Sequence, residues 1–183
     1  MATAACLLVP TVSLASEEFG IEQAFDKPAE VPGAAAAEMQ EATDGKCFAN
    51  RSTTMQDALE ATPVQLGGPI SALLIKPKQP SEPKAAWGCL CGAYTCPMWI
   101  YSIEGGGVRR LWGSSGVSLE ILDRKAQGHR LLLLTSGSAG HQEAALHGWD
   151  SHGYKLSVVF GQGSEEDARA EAEMQKFVEE VSR

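Results

Sequence analysis

The apolar positions between residues 47 and 163 follow a pattern that is typical of a sheet rather than of helices. Two apolar runs, 57–66 and 70–78, are separated by the turn signal Gly-Gly-Pro. The next run, 98–103, is rich in aromatic and β-branched residues, which favour strands, and the Gly-rich stretch 104–107 ends it. These patterns predict strands that are joined by short turns.

The second half of this region continues the pattern. Alternating apolar and polar residues over 117–122 predict a half-buried strand, which follows the stretch "GSSG" (113–116). The continuous apolar run "HRLLLLTSG" (129–137) indicates a central strand that is buried on both faces. The segments 143–149 and 154–160 flank the polar loop "DSHG", which predicts a hairpin. Because no helical segment intervenes, the strands are expected to form an antiparallel meander.

Helical patterns are confined to the two ends of the chain. An N-cap, an acidic first turn and apolar residues at helical spacing predict an amphipathic helix over 164–182. Residues 16–46 are rich in Ala, Glu and Pro and include one short helical segment, so we interpret them as a linker or a loosely docked N-terminal arm. The predicted fold class is therefore α+β, mainly β: one antiparallel β-meander sheet with a C-terminal amphipathic helix, in a single domain over 47–183.

Charge narrows the classes of partner. The 183 residues include 15 Lys and Arg against 23 Asp and Glu, which gives a net charge of −8. A nucleic-acid-binding protein needs clustered cations to displace phosphate counterions, and adhesion to an anionic membrane surface is disfavoured for the same reason. No apolar run approaches the roughly 20 residues that a transmembrane helix needs. The sequence therefore predicts no nucleic-acid partner and no transmembrane span.

The beginning of the sequence predicts export. Residues 1–15 carry no charge and end in Ser-Leu-Ala, which resembles the apolar region and cleavage site of a secretory signal. The basic region that usually opens such a signal is missing. We interpret residues 1–15 as a truncated signal peptide, with an ordinary apolar tail on a reduced cytoplasmic protein as the alternative. The expected location is the periplasm or the extracellular space.

Cleavage after Ala15 would remove Cys6 and leave an even number of cysteines, which in an exported chain indicates a disulfide framework. The remaining cysteines are Cys47, Cys89, Cys91 and Cys96. Their spacing offers neither the paired ligands at both ends of a structural zinc site nor the C-x-x-C of a redox centre. The favoured pairing is Cys91–Cys96 and Cys47–Cys89, although four cysteines allow three connectivities.

The stretch "CGAYTCPMW" (91–99) resembles a CGA-x-x-CP-x-W motif of uncharacterised secreted bacterial proteins. In those proteins an aromatic-Asp-x-x-Gly-Tyr hairpin follows near the end, and "WDSHGY" (149–154) matches it. The similarity covers about 91–156. This chain has "LGGPIS" where the group carries an Asp-Gly-rich turn. The resemblance implies an exported, β-rich domain and no particular activity.

Several aromatic and polar residues are candidates for a binding surface. Trp99 and Tyr101 share strand parity, so one face of their strand is aromatic. His141 and His147 also share parity and lie near the polar hairpin, where a metal site or a hydrolase centre is one interpretation and a polar outer face is the other. The candidate binding residues are Trp99, Tyr101, His141, His147, Asp150, His152 and Tyr154.

No catalytic motif accompanies these candidates. The serine-containing stretches "GSSG" and "SGSAG" lack the strand–turn–helix setting of a nucleophile, and no Lys-Ser/Thr follows a Gly-rich loop. No cofactor or metal site is therefore predicted. The expected function is a non-catalytic, exported and disulfide-stapled binding or inhibitor-like domain with a protein or glycan partner. A hydrolase or metal-binding protein that uses His141, His147 and His152 is the alternative.

Overall fold

The computed structural model describes residues 15–43, 54–79, 87–105, 107–138 and 141–161. The predicted fold class is confirmed, because the chain is mainly β with antiparallel sheets and few helices. Residues 1–14 of the predicted signal peptide, Cys47 and the predicted helix 164–182 lie outside the described residues. In the described part of the chain, no helix is long and apolar enough to cross a membrane.

The described elements are, in chain order, β1 Glu17–Gly20, α1 Gly33–Ala42, α2 Met55–Ala58, β2 Leu59–Gln65, β3 Ser71–Pro77, α3 Trp87–Leu90, β4 Cys96–Glu104, β5 Gly107–Gly116, β6 Ser118–Ala126, β7 His129–Ser138, β8 His141–Trp149 and β9 Tyr154–Gly161. A five-stranded sheet has the order β1-β6-β7-β8-β9, and a four-stranded sheet has the order β2-β3-β4-β5. Every strand pairing is antiparallel. The sequence predicted one meander sheet, whereas the strands divide into two meanders between β5 and β6.

The stretch "GSSG" (113–116), which separates two runs of the sequence pattern, continues β5 along β4. Its glycines serve close packing instead of a turn. A Cβ atom on Gly113 would lie 2.7 Å from Cδ1 of Trp99, and one on Gly116 would lie 2.6 Å from the carbonyl oxygen of Thr135. Glycine is the residue that permits such close approach, so its presence in a strand did not mark a loop here.

The main core lies between the two sheets. Alternate residues of β3 and β4 point to the same cluster as alternate residues of β6 and β7. The buried members from these strands are Ala72, Leu74, Cys96, Met98, Ile100, Leu119, Ile121, Leu132 and Leu134. Strand β7 is central in its sheet. Its adjacent residues Leu131 and Leu132, which point to opposite faces, are both fully buried, as the apolar run predicted.

Residues 15–43, called here the wrapping segment, pack on both sheets. Strand β1 pairs with β6 of the five-stranded sheet, and α1 covers the outer face of the four-stranded sheet. The buried residues that α1 contributes to this second core are Ala35, Ala36 and Met39. Between them, the amide of Ala29 donates to the carbonyl of Ala61 at 2.7 Å. The segment that the sequence suggested as a linker or a loosely docked arm is thus closely packed over its described residues.

A buried arginine holds the start of the wrapping segment. The side chain of Arg130, at the start of β7, is fully buried. Arginine carries five N–H donors, and each donates here to one acceptor. The acceptors are the Glu17 carboxylate and the carbonyls of Ala15, Gln65, Ile121 and Leu122, at 2.5 to 3.2 Å. Because every donor is satisfied and a carboxylate balances the charge, the guanidinium can be buried without an unpaired polar group.

A buried lysine holds the same segment further along. The ammonium of Lys76, on β3, is fully buried and lies 2.5 Å from the carboxylate of Glu60, its direct partner on β2. It also donates to the carbonyl of Gln23 at 2.7 Å and lies 4.7 Å from the centroid of the Phe25 ring. Residues 15–17 and 21–25 are therefore each fixed to the sandwich by one buried cation.

Candidate ligand-binding cleft

The predicted disulfide Cys91–Cys96 is present and closes a small loop before β4. Its two Cα atoms are 4.2 Å apart, and the amide of Gly92 donates to the carbonyl of Thr95 at 2.8 Å inside the loop. Cys96 is buried, whereas Tyr94 at the tip is 55% exposed. The disulfide thus anchors an exposed aromatic side chain to the core.

Only one cysteine of the second predicted disulfide, Cys89, belongs to the described residues. Cys89, in α3, is disulfide-bonded. Its predicted partner, Cys47, lies outside the described residues.

The disulfide loop forms one wall of a cleft of about 560 Å³ at an end of the sandwich. The wrapping segment contributes a second wall, and the ends of strands β6, β7 and β8 complete the lining. The lining residues that carry polar side chains are Glu18, Glu22, Gln23, Tyr94, Thr95, Ser118 and Gln142. Because both walls are tied to the core, one by a disulfide and the other by Arg130 and Lys76, the cleft has a pre-formed shape.

The cleft is acidic. Glu18 and Glu22 are exposed, and no Lys or Arg belongs to the lining. Glu18 lies directly opposite Glu120 in the pairing of β1 with β6. Like charges at directly opposed positions destabilise a sheet, and no described ion pair involves either of these two carboxylates. The negative charge of this region is therefore uncompensated.

A second groove, of about 790 Å³, continues along the other side of the wrapping segment. Glu18 and Gln23 line both the groove and the cleft, and Asp26 and Lys27 line the groove only. Residues 17–27 thus separate two adjoining concave surfaces, and both depend on the same two buried cations.

The residues that the sequence selected lie elsewhere, beginning with the polar hairpin. The Asp150 carboxylate accepts hydrogen bonds from the amides of His152 and Gly153, both at 3.2 Å, and pairs with Lys155. The Lys155 ammonium, followed by the turn amides, holds the pKa of Asp150 below its usual range. A Cβ atom on Gly153 would lie 2.5 Å from the Leu111 carbonyl oxygen, so the turn rests against β5. Asp150 and Gly153 of the hairpin motif are therefore accounted for by the structure of the turn.

His147 and Tyr154 are core residues. The ring of His147 packs edge-on against Trp112 at 5.5 Å, and burial lowers the pKa of its imidazole. The hydroxyl of Tyr154 donates to the carbonyl of Arg130 at 2.8 Å, and burial raises the pKa of that phenol. His152 is exposed at the turn, so the two histidines of the hairpin have opposite environments.

Trp99 and Tyr101 face the second core beneath α1. Tyr101 is fully buried, and burial, together with the Glu38 carboxylate, raises the pKa of its phenol. Trp99 is half-buried over Gly113. The aromatic face that the strand parity predicted exists, but it mainly packs against the helix.

His141 begins β8 opposite Ser138, and its side chain lies outside the described part of the structure. Among the side chains that are described, no three from His, Cys, Asp and Glu are grouped so that they could hold a metal ion. Of the sequence-selected histidines whose side chains are described, His147 is buried and His152 is exposed. The cleft was missed because its lining comes from strands and loops that are far apart in the sequence, and Tyr94 inside the cysteine loop was the single local signal for it.

Comparison of the chain with protein-family models, with curated proteins and with solved structures finds no match. The geometry of the cleft is consequently the main basis for a functional assignment.

Proposed function

We propose that the chain is an exported, disulfide-stapled domain that binds a protein or glycan without catalysing a reaction, and that the cleft beside the Cys91–Cys96 loop is its binding site. The observation that carries this proposal is the anchoring of both walls of the cleft. A site that is rigid before binding loses less conformational entropy when a ligand enters. An exposed tyrosine at the rim supplies a large contact area with few rotatable bonds.

Export is supported by chemistry rather than by a matched family. Disulfides form and persist in oxidising compartments and are rare in the cytosol. A chain in which Cys89, Cys91 and Cys96 are all bonded fits such a compartment, and the apolar residues 1–15 fit a secretory signal. The proposed location is therefore the periplasm or the extracellular space.

Binding at the cleft can be tested by NMR with a library of amine, carboxylate and sugar fragments. We expect the amides of the disulfide loop, Ser118 and Gln142 to shift with a common set of fragments. Tyr94→Ala should abolish these shifts. Leu156→Ala is the matched control, because Leu156 is 57% exposed on β9 and lies outside the cleft.

The fragment experiment also separates the competing functions. Fragments that cluster at the hairpin around His152 and leave the cleft amides unchanged would overturn the assignment of the cleft. If the protein in addition hydrolyses a substrate in a broad panel and His152→Ala removes that activity, the hydrolase alternative replaces the binding domain.

Export and thiol state are tested together by the intact mass of protein that is recovered from the exported fraction. We expect a mass that lacks the apolar leader and does not change on alkylation without reductant. A thermal shift with dithiothreitol but none with EDTA should accompany it. A full-length, fully alkylated chain would refute export.

A further inference from the structure

We propose that the partner of the cleft is an extended polypeptide segment that carries Lys or Arg side chains. This inference rests on the proposed binding function and narrows it to one class of ligand. The cleft combines three features that suit such a segment. They are carboxylates without a cationic partner, an exposed aromatic ring, and polar side chains that can hydrogen-bond to a peptide backbone.

The first observation is the charge of the walls. Glu18 and Glu22 line the cleft, Glu120 lies directly opposite Glu18, and the lining contains no cationic side chain. Glu120 itself does not line the cleft, but a guanidinium or ammonium bound to Glu18 would offset the repulsion between Glu18 and Glu120. A neutral ligand would leave that repulsion in place.

The second observation is the position of Tyr94. The ring projects from a loop that the Cys91–Cys96 disulfide and the Gly92–Thr95 hydrogen bond hold in place. Tyrosine faces attract Lys and Arg cations, and the apolar stems of these side chains pack on aromatic and aliphatic surface. Val117, which is 37% exposed, supplies aliphatic surface in the same cleft.

The third observation concerns the ligand backbone. The amides of Gln23 and Gln142 and the hydroxyl of Ser118 offer both donors and acceptors along the lining. Gly20, Gly92 and Gly137 leave the main chain of the cleft accessible. These groups suit the alternating donors and acceptors of an extended peptide, and Glu18 connects the cleft to the adjoining groove, whose lining contains both Asp26 and Lys27.

Fluorescence polarisation with a labelled alternating Arg-Gly peptide tests the inference on the full chain. We expect saturable binding that weakens as salt is added, because exposed charge pairs are screened. A Glu-Gly peptide of the same length should not bind. The double variant Glu18→Gln/Glu22→Gln should lower the affinity roughly tenfold, and Tyr94→Ala should lower it about threefold or more.

The matched control is Glu30→Gln/Glu41→Gln. These two glutamates are also exposed on the wrapping segment but line neither concave surface, so the control removes the same net charge elsewhere. Its affinity should stay within about twofold of that of the unmodified chain. An equal loss in the control would reduce the binding to general charge attraction and overturn the inference.

A chito-oligosaccharide is the competing probe. If it binds at the Tyr94 loop while the Arg-Gly peptide does not, the peptide inference is wrong and the binding function stands with a glycan as its ligand. If neither probe binds and the NMR fragments also leave the cleft amides unchanged, the proposed function itself fails.

Discussion

Two buried cations fix the wrapping segment, and they do so by different means. Around Arg130, the carboxylate comes from the wrapping segment itself, through Glu17, while most other acceptors are carbonyls of the sandwich. Around Lys76, the carboxylate comes from the neighbouring strand, through Glu60, and the wrapping segment offers its carbonyls. The segment is thus held by a charged side chain and one carbonyl at Arg130, and by its carbonyls alone at Lys76.

This difference shows which parts of the attachment depend on sequence. Backbone carbonyls are supplied by any residue, so the Lys76 contact to Gln23 constrains the path of the chain rather than its side chains. The Arg130 contact requires an acid at position 17. The guanidinium also uses a rigid fork of donors that lysine cannot reproduce. We therefore expect the Arg130 site to be the more costly one to break.

The largest expected effect is that of Arg130→Met. Removal of the guanidinium leaves the Glu17 carboxylate, which is 39% exposed, and four carbonyls without their donor, which should reduce the free energy of unfolding by about 3–5 kcal/mol. Urea denaturation measures the loss. Arg124→Met, at an exposed position of β6, is the control and should change stability by about 0.5 kcal/mol or less. If Arg130→Met reduced the free energy of unfolding no more than the control does, Arg130 would not be what fixes the wrapping segment.

Lys76→Met should cost less, about 2–3 kcal/mol, because the ammonium of Lys76 donates to three acceptors whereas the guanidinium of Arg130 donates to five. Hydrogen exchange should accelerate at the amides of residues 21–25 more than at those of residues 15–19. Arg130→Met should give the opposite order. A larger destabilisation by Lys76→Met than by Arg130→Met would contradict the expectation that the Arg130 site is the more costly one to break.

His147 extends the comparison of Arg130 with Lys76 to a buried base for which no carboxylate partner is described. Burial lowers the pKa of its imidazole, so the unfolded chain takes up a proton near its ordinary pKa of about 6.5 and the folded chain does not. Stability should therefore be retained above about pH 6.5 and fall below it, by at most about 1.4 kcal/mol per pH unit. Denaturation of His147→Leu between neutral and mildly acidic pH should show a shallower slope; an unchanged slope counts against this assignment.

The smallest expected effect concerns a single carbonyl. A chain that starts at Ser16 lacks the Ala15 carbonyl, to which Arg130 donates at 2.8 Å, whereas a chain that starts at Ala15 keeps it. We expect the shorter chain to be about 0.5–1 kcal/mol less stable, because the guanidinium loses one hydrogen bond while its other acceptors remain. Thermal unfolding of the two chains measures this difference. Equal stabilities would mean that water replaces the carbonyl.

The sequence predicted the strands well and their surroundings poorly. Alternation located β6 and the buried β7, and turn chemistry located the hairpin at Asp150, because these features depend on neighbouring residues. The packing of the wrapping segment was hidden, since it depends on alanines such as Ala35 and on backbone contacts to Lys76 and Arg130. Periodicity carries no information about partners so far away along the chain.

The candidate site was hidden for a related reason. Strand parity placed His147 on the same face as Trp149 but did not decide which face was the core; both are buried. The expected burial of tryptophan was the signal that could have assigned His147 to the interior. The cleft itself combines Glu18 of β1, Tyr94 of the disulfide loop and Gln142 of β8, and no local pattern records such an arrangement.

The guanidinium of Arg130 also bears on how the chain folds. Its acceptors include Leu122 and Ile121, 8 and 9 residues away, but also Gln65, Glu17 and Ala15, at separations of 65, 113 and 115 residues. Contacts between such distant residues carry a large loop-closure cost and slow the folding of β proteins. Residues 15–17 of the wrapping segment can therefore dock only after β7, which carries Arg130, has been synthesised. The cleft that they help to form is completed late, after most of the domain has been synthesised.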